Sequence, residues 1–288
     1  MGIERYRLGC AMWGLKSWVG ELFAPNTKSA EFLAAYASVF NAVEGNTTFY
    51  GVPDANSVAR WRDATPASFH FCFKFPRRIS HELRLVGAAA ETRAFLEALA
   101  PLGPRLGPFF LQLPPEFDVG SLPALSAYLR SLPPQWRYAV EVRSLTFFRG
   151  DAEARLVETL VRHGIDRVVL DARVLHRTVS DDDWIVESKR RKPDMPVRRI
   201  AIAANPFLRL IGNDVLADAS TCVASWAHIA AGWLDEGRTP YVFLHSPDDF
   251  FAPRMCTAFH GALSAWRDVG EMPRWPGMAR ACRQMTLL

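Results

Sequence analysis

The chain has 288 residues, of which 49% are hydrophobic, 22% charged and 12% aromatic, with a formal net charge of +4. This composition excludes disordered, collagenous and coiled-coil chains, and with no run of about 18 apolar residues neither a spanning helix nor a membrane partner is expected. The 34 cations, only five of them lysine, are spread along the chain, so charge alone does not indicate a nucleic-acid binder.

From the N-terminus, Met1 to Tyr6 give way to strand-like sequence within ten residues, which leaves no room for a secretory signal. A cytoplasmic location is expected. Cys10, Cys72, Cys222, Cys256 and Cys282 are widely spaced without a Cys-x-x-Cys pair, a pattern of free thiols rather than of a zinc ribbon or disulfide framework. Short β-rich apolar runs then alternate with segments of helical period. Strands are predicted at Arg7–Met12, Asn41–Asn46, His70–Phe75, Phe109–Leu113, Tyr138–Arg143, Arg167–Ala172, Phe207–Gly212 and Tyr241–His245. Helical spacing appears between them in Phe32, Leu33, Tyr36, Val39 and Phe40, in Phe95, Leu96 and Leu99, and in Leu156, Leu160 and Val161 before a stop at Gly164. Further helices are predicted at Asn56–Asp63, Ser121–Leu132, Cys222–Asp235 and Arg254–Arg267.

Eight strand–helix units, with strand starts 29 to 40 residues apart, predict a single closed (β/α)8 TIM-like barrel spanning 1–288. A doubly wound open sheet is the competing architecture, but no Gly-x-Gly-x-x-Gly follows the first strand. Two features stand outside the rhythm. Residues 270–288 form a short C-terminal extension. Arg173–Pro206, after strand six, is predicted as a long loop with little helical pattern, holding Asp181–Asp183, Lys189–Lys192 and three prolines. A loop of that length suits a lid that brings Arg191 or Lys192 toward a ligand.

Barrel sites gather at the C-terminal ends of the strands, and the polar residues concentrate there. Strand two offers Glu44 and Asn46, strand three Lys74, strand four Gln112, and strand five Glu141 and Arg143. Strands six, seven and eight offer Asp171, Arg209 and His245, followed by Asp248 and Asp249. Burying so many ions is costly unless pairing is good, which favours a site; the alternative is a layer of paired charges filling the interior.

Glu44, Glu141, Asp171 and Lys74 are the candidate catalytic residues. Trp13, Asn46, Tyr50, His81, Gln112, Arg143, Arg191, Lys192, Arg209 and His245 are the candidate binding residues. If the chemistry is glycoside-like hydrolysis, Glu44 and Glu141 should stand roughly 5 to 9.5 Å apart. Lys74, Arg143 and Arg209 are expected to form an anion pocket, with Arg209→Ala weakening binding without unfolding the chain. No cofactor is predicted, although Glu44, Glu141, Asp171 and His245 are conceivable ligands of a divalent metal.

Three segments carry a resemblance: Glu44-Gly45-Asn46-Thr47-Thr48-Phe49-Tyr50, Phe110-Leu111-Gln112-Leu113-Pro114-Pro115 and Ala139-Val140-Glu141-Val142-Arg143. With Gly9 to Trp13, Lys74-Phe75-Pro76, Ile79-Ser80-His81 and Tyr241-Val242-Phe243, they resemble the YecE-like family, domain-of-unknown-function family 72. The resemblance covers essentially the whole chain and implies a barrel related to the (β/α)8 fold, without supplying a reaction. Family members carry asparagines near strand eight, where this chain has His245-Ser246-Pro247-Asp248-Asp249.

The leading expectation is an enzyme acting on a small anionic molecule, a sugar acid or phosphorylated sugar, by hydrolysis or lyase chemistry through carboxylate acid/base groups. One alternative is a nucleic-acid-binding or processing protein using the basic lid and the aromatics Trp13, Trp18, Phe49, Tyr50, Phe147, Phe148, Phe250 and Phe251. The other is a barrel that binds a metabolite without turnover.

Overall fold

The computed structural model describes residues 2–278. All eight predicted strands form and every pairing is parallel: β1 (Arg7–Cys10), β2 (Ala42–Gly45), β3 (His70–Phe73), β4 (Phe109–Gln112), β5 (Tyr138–Glu141), β6 (Asp166–Asp171), β7 (Phe207–Ile211) and β8 (Tyr241–His245). Helices lie between and after them: α1 (Phe32–Ala37), α2 (Ala55–Asp63), α3 (Ala89–Leu99), α4 (Leu122–Ser131), α5 (Gly150–His163), α6 (Arg173–Arg177), α7 (Asp183–Arg191), α8 (Leu216–Asp235) and α9 (Ala252–Ser264). The α5 stop falls at Gly164, whose φ of 63° is the left-handed geometry that favours glycine. Most strand residues are buried, as parallel strands covered on both faces should be.

The closed eight-stranded barrel does not form. Backbone pairing builds a six-stranded half-barrel sheet, ordered β1-β8-β7-β6-β5-β4, and a separate two-stranded sheet of β2 and β3. The result is an open, curled α/β fold. Nor is the sheet doubly wound, since β4 to β8 follow one another without a reversal of order.

One of the two gaps has a local cause. Between β1 and β2, side chains take the place of the ladder. Cys10 N donates to the Tyr36 hydroxyl at 2.6 Å, which donates to Ala42 O at 3.0 Å. Leu8 N donates to Asn41 Oδ1, while Asn41 Nδ2 reaches Ile3 O and Tyr6 O. The Tyr36 hydroxyl fits there because residue 9 is glycine: a Cβ would stand 2.7 Å from that hydroxyl and 1.9 Å from Ala42 O. Between β3 and β4 only isolated bridges form, Phe71 with Leu106 and Lys74 with Phe110.

Inside the curl, Ala42, Cys72, Phe110, Ala139, Val168, Phe207, Tyr241 and Phe243 make one apolar layer, with at least one residue from each of β2 to β8. Small residues sit among large rings, and Phe207 packs against Phe110 and Phe243 with centroids 5.4 and 5.0 Å away. This layer is the base on which the polar residues stand.

Arg173–Pro206 is not the irregular loop expected. It contains α6 and α7, and Asp182 caps α7 by accepting from Trp184 N at 2.9 Å and Ile185 N at 3.3 Å. Its sparse apolar residues, Leu175, Ile185 and Met195, close a small cluster with Leu170, Ala172 and Ile211. The extension at 270–288 is described only to residue 278; its remainder and Cys282 lie outside the described residues.

Candidate functional site

Two residues beyond the apolar layer, each strand changes character. Ala42 is followed by Glu44, Cys72 by Lys74, Phe110 by Gln112, Ala139 by Glu141, Phe207 by Arg209 and Phe243 by His245. Side chains alternate along a strand, so this second set faces the same interior. β6 is the exception. Val168 is followed by Leu170, and Asp171 takes the opposite phase, where it accepts from Trp226 Nε1 of α8 at 2.7 Å and from Arg173 Nη2 at 2.6 Å. Asp171 is therefore a helix-side anchor, outside the proposed catalytic group. The four metal-ligand candidates Glu44, Glu141, Asp171 and His245 do not converge.

Arg209 centres the group. Its Nε and Nη2 donate to the two oxygens of Glu44 at 2.8 and 2.7 Å, and its Nη1 donates to Glu141 Oε2 at 2.7 Å. Glu141 also accepts from Arg143 Nε. Glu44 further accepts from Asn46 Nδ2 at 2.7 Å and contacts His245 Nε2 at 3.3 Å. Both carboxylates are sealed, Glu44 being 0% and Glu141 1% exposed. Burial alone would raise them, but Arg209 and His245 hold Glu44 well below the usual carboxylate range. Against the same burial, Arg143, Arg209 and Lys74 hold Glu141 low.

The space between the two carboxylates is thus filled by a guanidinium rather than left for a substrate and water. Their expected role as a glycosidase-like acid and base has no geometric support. Arg209 is likewise the counter-ion of both, and its role as a freely removable anion ligand is revised.

Lys74 is held differently. Its Nζ donates to Gln112 Oε1 at 2.9 Å and lies 3.8 Å from the centroid of the Phe49 ring, with no carboxylate in ion-pair contact among the described residues. Gln112 Oε1 also accepts from Arg143 Nη2 at 3.1 Å, so one amide oxygen joins two cations. Burial first, then the fields of Arg209 and Arg143, bring Lys74 down to about 7 from an ordinary 10.5. Burial and Lys74 similarly lower His81 to about 4.

Above this floor opens a cavity of about 620 Å³. Of the sequence-predicted residues, Asn46, Tyr50, Lys74, His81, Gln112, Arg143, Arg191, Lys192, Arg209 and His245 line it. Trp13 does not; it packs edge-on against Trp61 and Phe71, with centroids 5.4 and 6.0 Å away. Among the other rim aromatics, Trp18 and Phe147 are core residues, and Phe148 lies under Arg167. α7 supplies Trp184, Glu187, Ser188 and Arg191 to the wall, and Arg143 Nη1 donates to the Arg191 carbonyl at 3.3 Å. Trp184 and Arg77 were not anticipated. Arg77 carried a signal, standing three residues after Lys74, but Trp184 sits on a helix whose apolar pattern is too sparse to read.

Residues 7–278 match the family model described as "Protein of unknown function DUF72". The chain is 37% identical over 271 residues to the "UPF0759 protein YecE" of Escherichia coli K12, covering 93% of this chain and 97% of that protein. The fold resembles that of a DUF72 family protein from Thermotoga maritima MSB8, with a TM-score of 0.65, 23% identity, and coverage of 90% of this chain and 99% of the other. A DUF72 family protein from Enterococcus faecalis V583 gives the same TM-score at 18% identity, covering 93% and 99%.

Proposed function

The chain belongs to the DUF72 (YecE) family, and we propose that its cavity binds a small anionic molecule, such as a sugar acid or phosphorylated sugar, with Lys74 as the proton-exchanging group. The observation that carries this reading is a charge count at the cavity floor. Two carboxylates, Glu44 and Glu141, face three cations, Arg209, Arg143 and Lys74, and Lys74 is the one without a carboxylate contact. A bound anion supplies the missing negative charge and restores the lysine's proton affinity. A lysine poised near neutrality is also suited to hand a proton to, or take one from, a bound substrate. Hydrolytic or lyase chemistry then runs through Lys74, while the buried carboxylates hold Arg209 and Arg143 in place.

The basic run reaches this cavity through Arg191 and Lys192. Lys189 Nζ donates to Thr178 O at 2.6 Å, Arg190 and Arg191 both pair with Glu187, and Lys192 lines the cavity. One carboxylate, Glu187, thus offsets one of the four charges of the run.

The test is calorimetric titration of inorganic phosphate and a panel of sugar phosphates and sugar acids, with product analysis after incubation. Wild-type protein should bind at least one class, and Lys74→Met and Arg143→Met should each weaken binding by roughly tenfold or more while unfolding cooperatively. Binding unchanged in Lys74→Met would refute the reading. Binding without any altered ligand would leave the anion site standing and remove the catalytic part.

A further inference from the structure

We propose that the ligand of this cavity carries, besides its anionic group, a hydrogen-bond donor (a hydroxyl or amino group) received by Asp249. The proposal rests on the anion reading above and adds the chemistry of the ligand's second end.

Asp249 lies in the turn after β8 and lines the same cavity as Lys74 and Arg143. Its neighbour Asp248 is occupied, accepting from Phe250 N at 2.9 Å. Asp249 is not: its Oδ1 is sealed from solvent and has no hydrogen-bond partner among the described residues. Buried carboxyl oxygens without a partner are rare in folded chains and call for a specific explanation. Burial pushes the Asp249 carboxyl above its ordinary range, opposed by the fields of Lys192 and His245 and reinforced by that of Glu44. The Ser246 backbone N–H also favours its charged form, but neither Lys192 nor His245 bonds to it.

The cavity therefore has two unlike demands. Lys74 and Arg143, from the strand-three and strand-five side, call for negative charge. Asp249, from the strand-eight side, calls for a proton donor and repels an anion. A ligand satisfying both is a hydroxy- or amino-substituted phosphate or carboxylate, oriented with its anionic end toward Lys74. Plain phosphate meets only the first demand.

The experiment is titration with inorganic phosphate, with ethyl, propyl and hexyl phosphate, and with the ω-hydroxy and ω-amino counterparts of each. For at least one chain length the substituted phosphate should bind wild-type protein about tenfold tighter than its plain partner. Asp249→Ala should abolish that preference and leave inorganic phosphate bound at least as tightly as in wild-type protein. Asp249→Asn keeps the turn, because Asn also tolerates its φ of 62°; it should lose the amino preference more than the hydroxyl one. Thermal unfolding of both variants checks that they fold. Equal affinities in every matched pair, or a preference that survives Asp249→Ala, would overturn the proposal while leaving the anion site intact. Failure of every phosphate to bind wild-type protein would instead overturn the anion reading, and this one with it.

Discussion

Arg209 and Lys74 are both interior cations, yet their surroundings assign them opposite roles. Arg209 is only 5% exposed and holds two sealed carboxylates. Arg209→Ala strands Glu44 and leaves Glu141 with Arg143 alone, and breaking a buried pair in this way costs roughly 3–5 kcal/mol. Chemical denaturation should show a loss of that size, larger than for Arg209→Met combined with Glu44→Gln, which leaves Glu141 paired with Arg143. For Lys74 the prediction concerns pH. With its pKa brought to about 7, it loses its proton as pH rises through neutrality, so anion affinity should fall across that interval. Lys74→Arg stays charged and should flatten the profile; a wild-type step that persists in Lys74→Arg would assign the titration to another group.

At the scale of elements, two local devices set the architecture around the site. The Tyr36 hydroxyl bridges Cys10 N and Ala42 O across the β1–β2 seam. Tyr36→Phe leaves two buried backbone groups without their partner, and should lower stability by roughly 1–3 kcal/mol, read from denaturation midpoints. The second device is the Asp182 cap. Asp182→Ala should cost about 0.5–2 kcal/mol, concentrated in α7. Hydrogen exchange should then show lost protection across Ile185–Ser188 with β7 and β8 unaffected. Exchange that rises equally in those strands would mean that α7 does not open on its own.

Across the whole molecule, several basic groups are shifted the same way by burial. His70 is lowered from 6.5 to about 3, His81 to about 4, and Lys74 from 10.5 to about 7, burial being the largest cause each time. Each folded value lies below its unfolded one, so the unfolded chain binds more protons in between and stability rises with pH over that window. For the histidines the window runs from about 3 or 4 up to 6.5, and for Lys74 from about 7 up to 10.5. Glu44 and Glu141, also held low, add stability above the ordinary carboxylate range that is lost as pH falls through their folded values. The thermal midpoint should therefore fall steadily from pH 7 to pH 4, and His81→Gln should flatten part of that slope. A midpoint independent of pH would contradict the burial of these groups. Of the described residues, no helix is long and apolar enough to cross a membrane.

What the sequence determined by itself was local. Short apolar, β-rich runs located all eight strands, helical spacing and Gly164 located α5 and its end, and residues two apart, such as Glu44 with Asn46 and Glu141 with Arg143, were placed together correctly. The strand-end part of the cavity lining, Asn46, Lys74, Gln112, Arg143, Arg209 and His245, was legible because those residues follow apolar strand runs. Three matters belonged to the tertiary structure. Phase on β6 put Leu170 inside and Asp171 against α8, since alternation tells which residues share a face but not which face is interior. At the β1–β2 seam closure failed because Tyr36 and Asn41 inserted between the strands, a pairing between distant segments that no single strand encodes. The partnering of charges separated Lys74 from Arg209: both read as lone cations in apolar runs, and only the folded chain brings Glu44 and Glu141 to one guanidinium and leaves the lysine without a carboxylate. Electrostatic energy depends on distance and burial, and neither is a property of sequence position.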